Sequence, residues 1–149
     1  MTITIISVGT KPRPAHSELL TTYLGRLPRH LSVQWRYVKH GVGDTAKSMQ
    51  NEAEKILKSI PEKTYVVLLD ETGTLLTSEQ FATAYIAPQR DITFIIGGAY
   101  GVTNAVKQRA NELLSLSKLV LPHQLVRLVL AEQIYRSYTI DSGHPYHHA

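Results

Sequence analysis

"ITFIIGGAYGVT", residues 92–103, sets an apolar run of strand length directly against Gly97, Gly98 and Gly101 and then a threonine. Glycine in or beside a regular element costs roughly 0.5–1 kcal/mol against alanine, so three of them cost on the order of 2 kcal/mol. The backbone must be bare here for a reason: a positive φ, a close helix contact, or a ligand lying along the main chain. Thr103 is a good N-cap for a following helix, so the stretch reads as strand, glycine turn, helix. Ligands of open α/β sheets bind at such places, outside the carboxyl ends of strands. The glycines alone do not name a ligand. A dinucleotide fingerprint needs G-x-G-x-x-G, and a P-loop needs Lys and Ser/Thr after its glycines. GG-x-x-G followed by Val102 and Thr103 is neither. A nucleotide-dependent oxidoreductase is disfavoured on that spacing, and tight strand–helix packing stays open as an alternative.

Working outward, strand-length apolar runs recur at "ITIISV" (3–8), "VQWRYV" (33–38), "TYVVLL" (64–69), "ITFII" (92–96) and "KLVL" (118–121). Most are continuous, as in strands buried on both faces. Between them the spacing predicts helices over 14–27, 45–60 after Asp44, 78–87 after a Thr77–Gln80 capping box, 104–116 and 123–138. Alternating strands and helices predict an α/β fold, a mainly parallel sheet with helices on both faces. With 149 residues, and with no repeat or linker, the chain reads as a single domain over 1–149.

The chain has no cysteine, which excludes disulfide scaffolds, thiolate metal sites and cysteine nucleophiles. No run approaches a membrane span, and the start "MTITIISVGT" lacks a basic n-region. A cytoplasmic protein is the expectation. Charge is uneven: residues 1–40 carry Lys11, Arg13, Arg26, Arg29, Arg36 and Lys39 against the single acid Glu18. Such an end suits a polyanion, or is a solvated basic face with no partner.

The C-terminal third is the most specific part. In "LSLSKLVLPHQLVRLVLAEQIYRSYTI" (114–140) the helix is apolar on nearly every side, with Leu125, Val126, Leu128, Val129, Leu130, Ala131, Ile134, Tyr135 and Tyr138. A helix without a wet face is buried all round, either inside its own domain or beneath a second subunit. Glu132 and Arg136, four residues apart, can pair within that seam.

"IIGGAYGV", "LSLSKLVLPHQLVR", "AEQIYRSYTI" and "HPYHH", with the opening "ISVGT", together resemble the SPOUT-class methyltransferases across the whole chain. Within that class they resemble the ribosomal RNA large subunit methyltransferase H family. The resemblance implies a SPOUT-like domain whose C-terminal segment forms a trefoil knot, an exception to the rule against knots. It implies a homodimer with its site at the subunit interface, and S-adenosyl-L-methionine as the cofactor. The implied reaction is N3-methylation of a pseudouridine in 23S rRNA within the assembled ribosome, with no metal and no membrane. A non-catalytic ribosome-binding factor with the same fold is the alternative.

Carried over by residue, the resemblance implies cofactor contacts at Leu69, at Gly98 and along Ser117, Lys118, Leu119, Val120, Leu121 and Pro122. An adenine ring needs an apolar slot with backbone partners, which Leu119, Val120 and Leu121 can supply. The catalytic candidates are His123, Arg127, Tyr146 and His147. Arg127 could hold a phosphate or nucleobase carbonyls, or be a structural ion-pair partner. His123 could be catalytic, orienting or simply packed. The tail "GHPYHHA" (143–149) has too few apolar groups to pack as an element, and its histidines read as a frayed end rather than a metal site. The family's usual basic residue after Tyr-His is replaced by His148 and Ala149.

Overall fold

The computed structural model describes residues 1–148, and among them five strands form one wholly parallel sheet in the order β2-β1-β4-β3-β5. The strands are β1 (Thr2–Val8), β2 (Ser32–Val38), β3 (Tyr65–Leu75), β4 (Ile92–Ile96) and β5 (Glu112–Ser115). The helices are α1 (Pro14–Leu24), α2 (Thr45–Ser59), α3 (Ser78–Phe81), α4 (Asn104–Arg109) and α5 (His123–Asp141), with a π-helical turn over Ala82–Ile86 after α3.

The continuous apolar runs are explained by two cores. Ile3 and Ile5 of β1, with Phe94 and Ile96 of β4, face α1, α3 and α5. Ile6 and Val8, with Ile95, face the other way toward Ala53 and Ile56 of α2 and Val106 of α4. Successive side chains of a strand point to opposite faces, so both sets must be apolar. The edge strand β2 alternates instead, exposing Gln34 and Arg36.

Several local expectations hold. Asp44 caps α2 by accepting from the Lys47 amide at 2.9 Å. Thr77 and Gln80 close a reciprocal capping box. Thr103 stands at the N-cap of α4, but its buried hydroxyl makes no capping bond.

Others are corrected. The helix expected over 14–27 ends at Leu24, turned off at Gly25. The helix expected over 78–87 is α only to Phe81 and then widens into the π turn. The one expected over 123–138 runs on to Asp141. The helix expected over 104–116 stops at Arg109, and its second half is β5. Val106, Ala110, Leu113 and Leu114 share a helical period, so periodicity could not separate helix from strand there. What decides it is Asn111, whose side chain accepts from the Val66 amide at 2.7 Å while its own amide donates to the Val66 carbonyl at 2.8 Å. That pair docks the chain onto β3 and starts the strand. "KLVL" (118–121) is consequently not a strand but an irregular loop beyond the sheet edge. Leu119 and Val120 are 75% and 78% exposed in it, and its first turn is tied by the Leu119 amide donating to Ser117 Oγ at 2.9 Å.

α5 buries Arg127, Leu130, Ala131, Ile134 and Tyr135 within the chain itself. Leu125, at 41%, is the most exposed apolar group on it. The helix is thus an intramolecular core element on one side, and only the side carrying Leu125 remains partly open.

Candidate active site

The chain leaves β1 toward β2 through α1 on one face, and leaves β4 toward β5 through α4 on the other. Neighbouring strands whose connections diverge leave a crevice at their carboxyl ends. A cleft of about 770 Å³ lies at these strand ends. Its walls are Gly9 and Thr10 after β1, Ile96 to Ala99 after β4, Leu69 to Thr72 in β3, and the loop from Leu116 to Leu121. His123 and Arg127 from the start of α5 complete it.

The glycine cluster now has its reasons. A Cβ on Gly97 would stand 2.7 Å from Val102 Cγ1, so that residue is bare for packing. Gly98 donates no side chain to a turn closed by the Gly101 amide on the Gly98 carbonyl at 3.0 Å, and Gly101 takes φ +79. At Gly98 a Cβ would meet the Glu52 carboxylate at 3.1 Å and Val8 at 3.4 Å. Close packing thus accounts for the bare backbone at both Gly97 and Gly98, and both line the cleft.

Of the residues expected at a cofactor, Leu69, Gly98, Ser117, Leu119, Val120 and Leu121 line this cleft; Lys118 and Pro122 do not. The sequence reading missed Asp70 to Thr72. Both Leu69 and Thr74 pair with Leu114, so the residues between them bulge out of the ladder. Asp70 holds that bulge by accepting from the Thr72 amide at 2.8 Å and hydroxyl at 2.6 Å, which lowers its pKa. The signal was available as "DETG" (70–73), a turn-forming tetrapeptide inside a strand run.

Arg127 is only 1% exposed and, among the described residues, meets no carboxylate. Its Nε donates to Ser7 Oγ at 2.8 Å, Nη1 to the Thr10 carbonyl at 2.8 Å, and Nη2 to the Val8 carbonyl at 3.3 Å. Its guanidinium carbon stands 5.1 Å from the Tyr37 ring centroid. The structural ion pair considered for it is therefore absent; Arg127 clamps the end of β1 through neutral acceptors. Gly9, at φ +119, lets the chain turn there: a Cβ would be 3.1 Å from Arg127 Nη2 and 3.6 Å from both His123 Nε2 and His40 Nε2. Burial pushes the His123 imidazole's pKa down, and Arg127 and His40 add to this against an opposing pull from the Val8 carbonyl.

Tyr146 and His147 are not at the cleft. Tyr146 donates its hydroxyl to Glu132 Oε1 at 3.0 Å and packs edge-on against Tyr135, with ring centroids 4.8 Å apart. His147 Nδ1 lies 3.1 Å from Arg136 Nη1, and Nε2 lies 2.8 Å from Glu79 Oε1. The tail forms no element, as expected, but the reading of it as a frayed end is corrected: the Tyr146 and His147 side chains dock it onto α5 and α3. The expected Glu132–Arg136 pair is present at 2.6 Å and forms the centre of that dock. Ala149 lies outside the described residues. Among them no group of three His, Asp or Glu could hold a metal, and no helix is long and apolar enough to cross a membrane.

Known proteins resemble this chain in sequence and in fold. The chain is 42% identical to ribosomal RNA large subunit methyltransferase H of Chromobacterium violaceum, over 99% of both chains. It is 41% identical to the protein of that name from Caldicellulosiruptor saccharolyticus, over 97% of this chain and 99% of the relative. The fold matches the structure of a probable methylase family protein from Haemophilus influenzae Rd KW20 with a TM-score of 0.60 at 14% identity, covering 99% of this chain and 70% of that one. Residues 1–147 match the family model described as "Predicted SPOUT methyltransferase", and the chain belongs to the SPOUT methyltransferase family.

Proposed function

We propose that this chain, acting as one domain, transfers a methyl group from S-adenosyl-L-methionine to N3 of a pseudouridine in 23S rRNA of the assembled ribosome. The observation that carries the cofactor assignment is the apolar, solvent-facing pair Leu119 and Val120 in a cleft also lined by bare backbone at Gly97 and Gly98. Apolar side chains left exposed on a concave wall suit a ligand with a flat hydrophobic ring. Leu69, Gly98, Ser117 and Leu119 to Leu121 would hold it. The bound cofactor supplies a methyl group already activated on a sulfonium, so the protein's work is to orient the base and take up its N3 proton. Arg127 fixes the floor at the end of β1, and His123 borders the reacting space.

Tyr146 and His147 enter this reading through a homodimer. Their contacts Glu132 and Arg136 lie nine residues along α5 from His123 and Arg127, about 13 Å at the helical rise. A second copy, docked across the open side of α5, would bring its own tail toward this cleft. The reading includes a trefoil knot in the segment from β5 through α5. It also assigns the rRNA face to the basic first forty residues, with Arg36 excepted because it donates to the Ser59 carbonyl and finishes α2. The test is a methyl-transfer assay on intact ribosomes, isolated subunits and naked rRNA, mapped to the nucleotide. Transfer to one pseudouridine supports the reading; cofactor-independent ribosome binding without transfer replaces it with the binding-factor alternative.

Two substitutions check the parts separately. Val129→Asp, on the half-open side of α5, should give a folded monomer by light scattering. Leu130→Asp, at 0% exposure in the core, should instead unfold the chain, so Leu130 is no test of the dimer. Gly98→Val should lower cofactor affinity more than tenfold by calorimetry. Because its side chain also presses on Glu52, it should cost roughly 1–3 kcal/mol of stability, so the fold is not left untouched. Near wild-type affinity removes Gly98 from the site.

A further inference from the structure

The strongest unexplained feature is Ser7, a polar residue in the centre of the sheet that is 0% exposed. Its Oγ is 2.8 Å from Arg127 Nε and 3.2 Å from His123 Nε2. Arginine can only donate, so Ser7 Oγ accepts from Arg127. Among the described residues the one other group in hydrogen-bond reach of that oxygen is His123 Nε2. If Nε2 carried a proton and also donated to Oγ, the hydroxyl hydrogen of a fully buried serine would have no acceptor, a state that native interiors avoid. The direction of the chain is therefore set from its cationic end: Arg127 Nε–H to Ser7 Oγ, and Ser7 O–H to His123 Nε2.

We infer that Ser7 is a positioning residue that holds His123 as the Nδ1–H tautomer, so that His123 serves the reaction as a neutral hydrogen-bond donor and not as the base. The donor role rests on the methyl-transfer reading above; the tautomer does not. The groups facing the ring are Ser7 and the Val8 carbonyl from β1, His40 from the β2–α2 loop and Arg127 from α5. The two cationic or titratable ones both oppose a second proton on the ring. With Nε2 taken by the Ser7 hydroxyl, the ring's proton sits on Nδ1, and of the facing groups the Val8 carbonyl favours a proton on the ring. Loss of a proton from N3 of a uracil-like ring spreads negative charge onto the flanking carbonyl oxygens. A fixed neutral donor bordering the cleft stabilises such an oxygen without first having to lose a proton of its own.

The experiment uses the ligand-free, full-length protein labelled with 15N-histidine, whose two-bond nitrogen–proton correlations report the tautomer directly. In the wild type at pH 7.5, His123 should be the Nδ1-protonated neutral form. Ser7→Ala should move it toward Nε2–H and lower kcat for methyl transfer roughly tenfold, a fraction of the ~10²–10³ lost with a whole oxyanion donor. KM should stay within twofold, and Ser7→Thr, which restores a hydroxyl, should recover the tautomer. An Nε2–H or doubly protonated His123 in the wild type overturns the inference, even if Ser7→Ala fails to fold. So does a tautomer indifferent to Ser7→Ala. If the tautomer is as expected but His123→Ala transfers methyl at the wild-type rate, the donor role is wrong. If the wild-type protein transfers no methyl to any RNA, the functional reading fails and takes the donor role with it, while the hold of Ser7 on the ring stands.

Discussion

Removing residues 144–149 should lower methyl transfer at least ~100-fold, the lower range for a lost acid–base group, while cofactor affinity stays within twofold. Among the described residues none of the tail lines the cleft, so the ligand loses no contact there. Stability should change little, because the dock is a half-exposed set of pairs, and such pairs contribute ~0–1 kcal/mol each. Arg136 can only donate, so His147 Nδ1 accepts from it and Nε2–H is directed at Glu79. Neither ring nitrogen is free while the tail is docked, so any proton transfer through His147 needs the tail to leave this position. The dock has a pH signature. Chiefly through its bond to His147, the Glu79 carboxyl is held at about 2, below its ordinary 4.5. A depressed acid stabilises the contact above its unfolded pKa and loses that effect as pH falls through the folded one. Tail release, read from the Tyr146 ring resonances, should therefore occur between about pH 4.5 and 2. A deletion without kinetic effect would turn the search for the base back to the cleft.

Arg127→Met should be the most damaging single change at the site. Methionine fills much of the volume but leaves the Val8 and Thr10 carbonyls and Ser7 Oγ without their donor. A buried polar group stripped of its partner costs ~1–3 kcal/mol, and some of these acceptors can reach water through the cleft, so a net loss of about 3 kcal/mol is expected. For a chain of this size that is a fall of roughly 6–12 °C in Tm. Cofactor affinity should fall more than tenfold with it, because Gly9 and Thr10 form part of the wall that Arg127 holds. Thermal unfolding and calorimetry on the same preparation check both. A Tm within 2 °C of wild type would show that the clamp is dispensable.

Much of this was legible in the residues. Continuous apolar runs dictated strands covered on both faces, and "ITFIIGGAYGVT" dictated a strand end, a turn and a helix start, because each follows from local sterics and side-chain alternation. The blocks from "LSLSKLVLPHQLVR" onward carried the family. What they could not carry was which apolar group meets which neighbour. "ELLS" (112–115) has the period of the helix before it and becomes a strand only because Asn111 docks on Val66. "KLVL" has the composition of a strand but pairs with none, and it faces solvent along a cleft just beyond the edge strand β5. Arg127, open in the sequence between a phosphate or nucleobase contact and an ion-pair partner, is a buried clamp, and Tyr146 and His147, on a tail that read as frayed, are docked. In each case the outcome depends on a partner far away in the chain, Ser7 for Arg127 and Glu132 for Tyr146. Local propensity fixes what an element can be; hydrogen-bond satisfaction across the fold decides where a polar side chain ends.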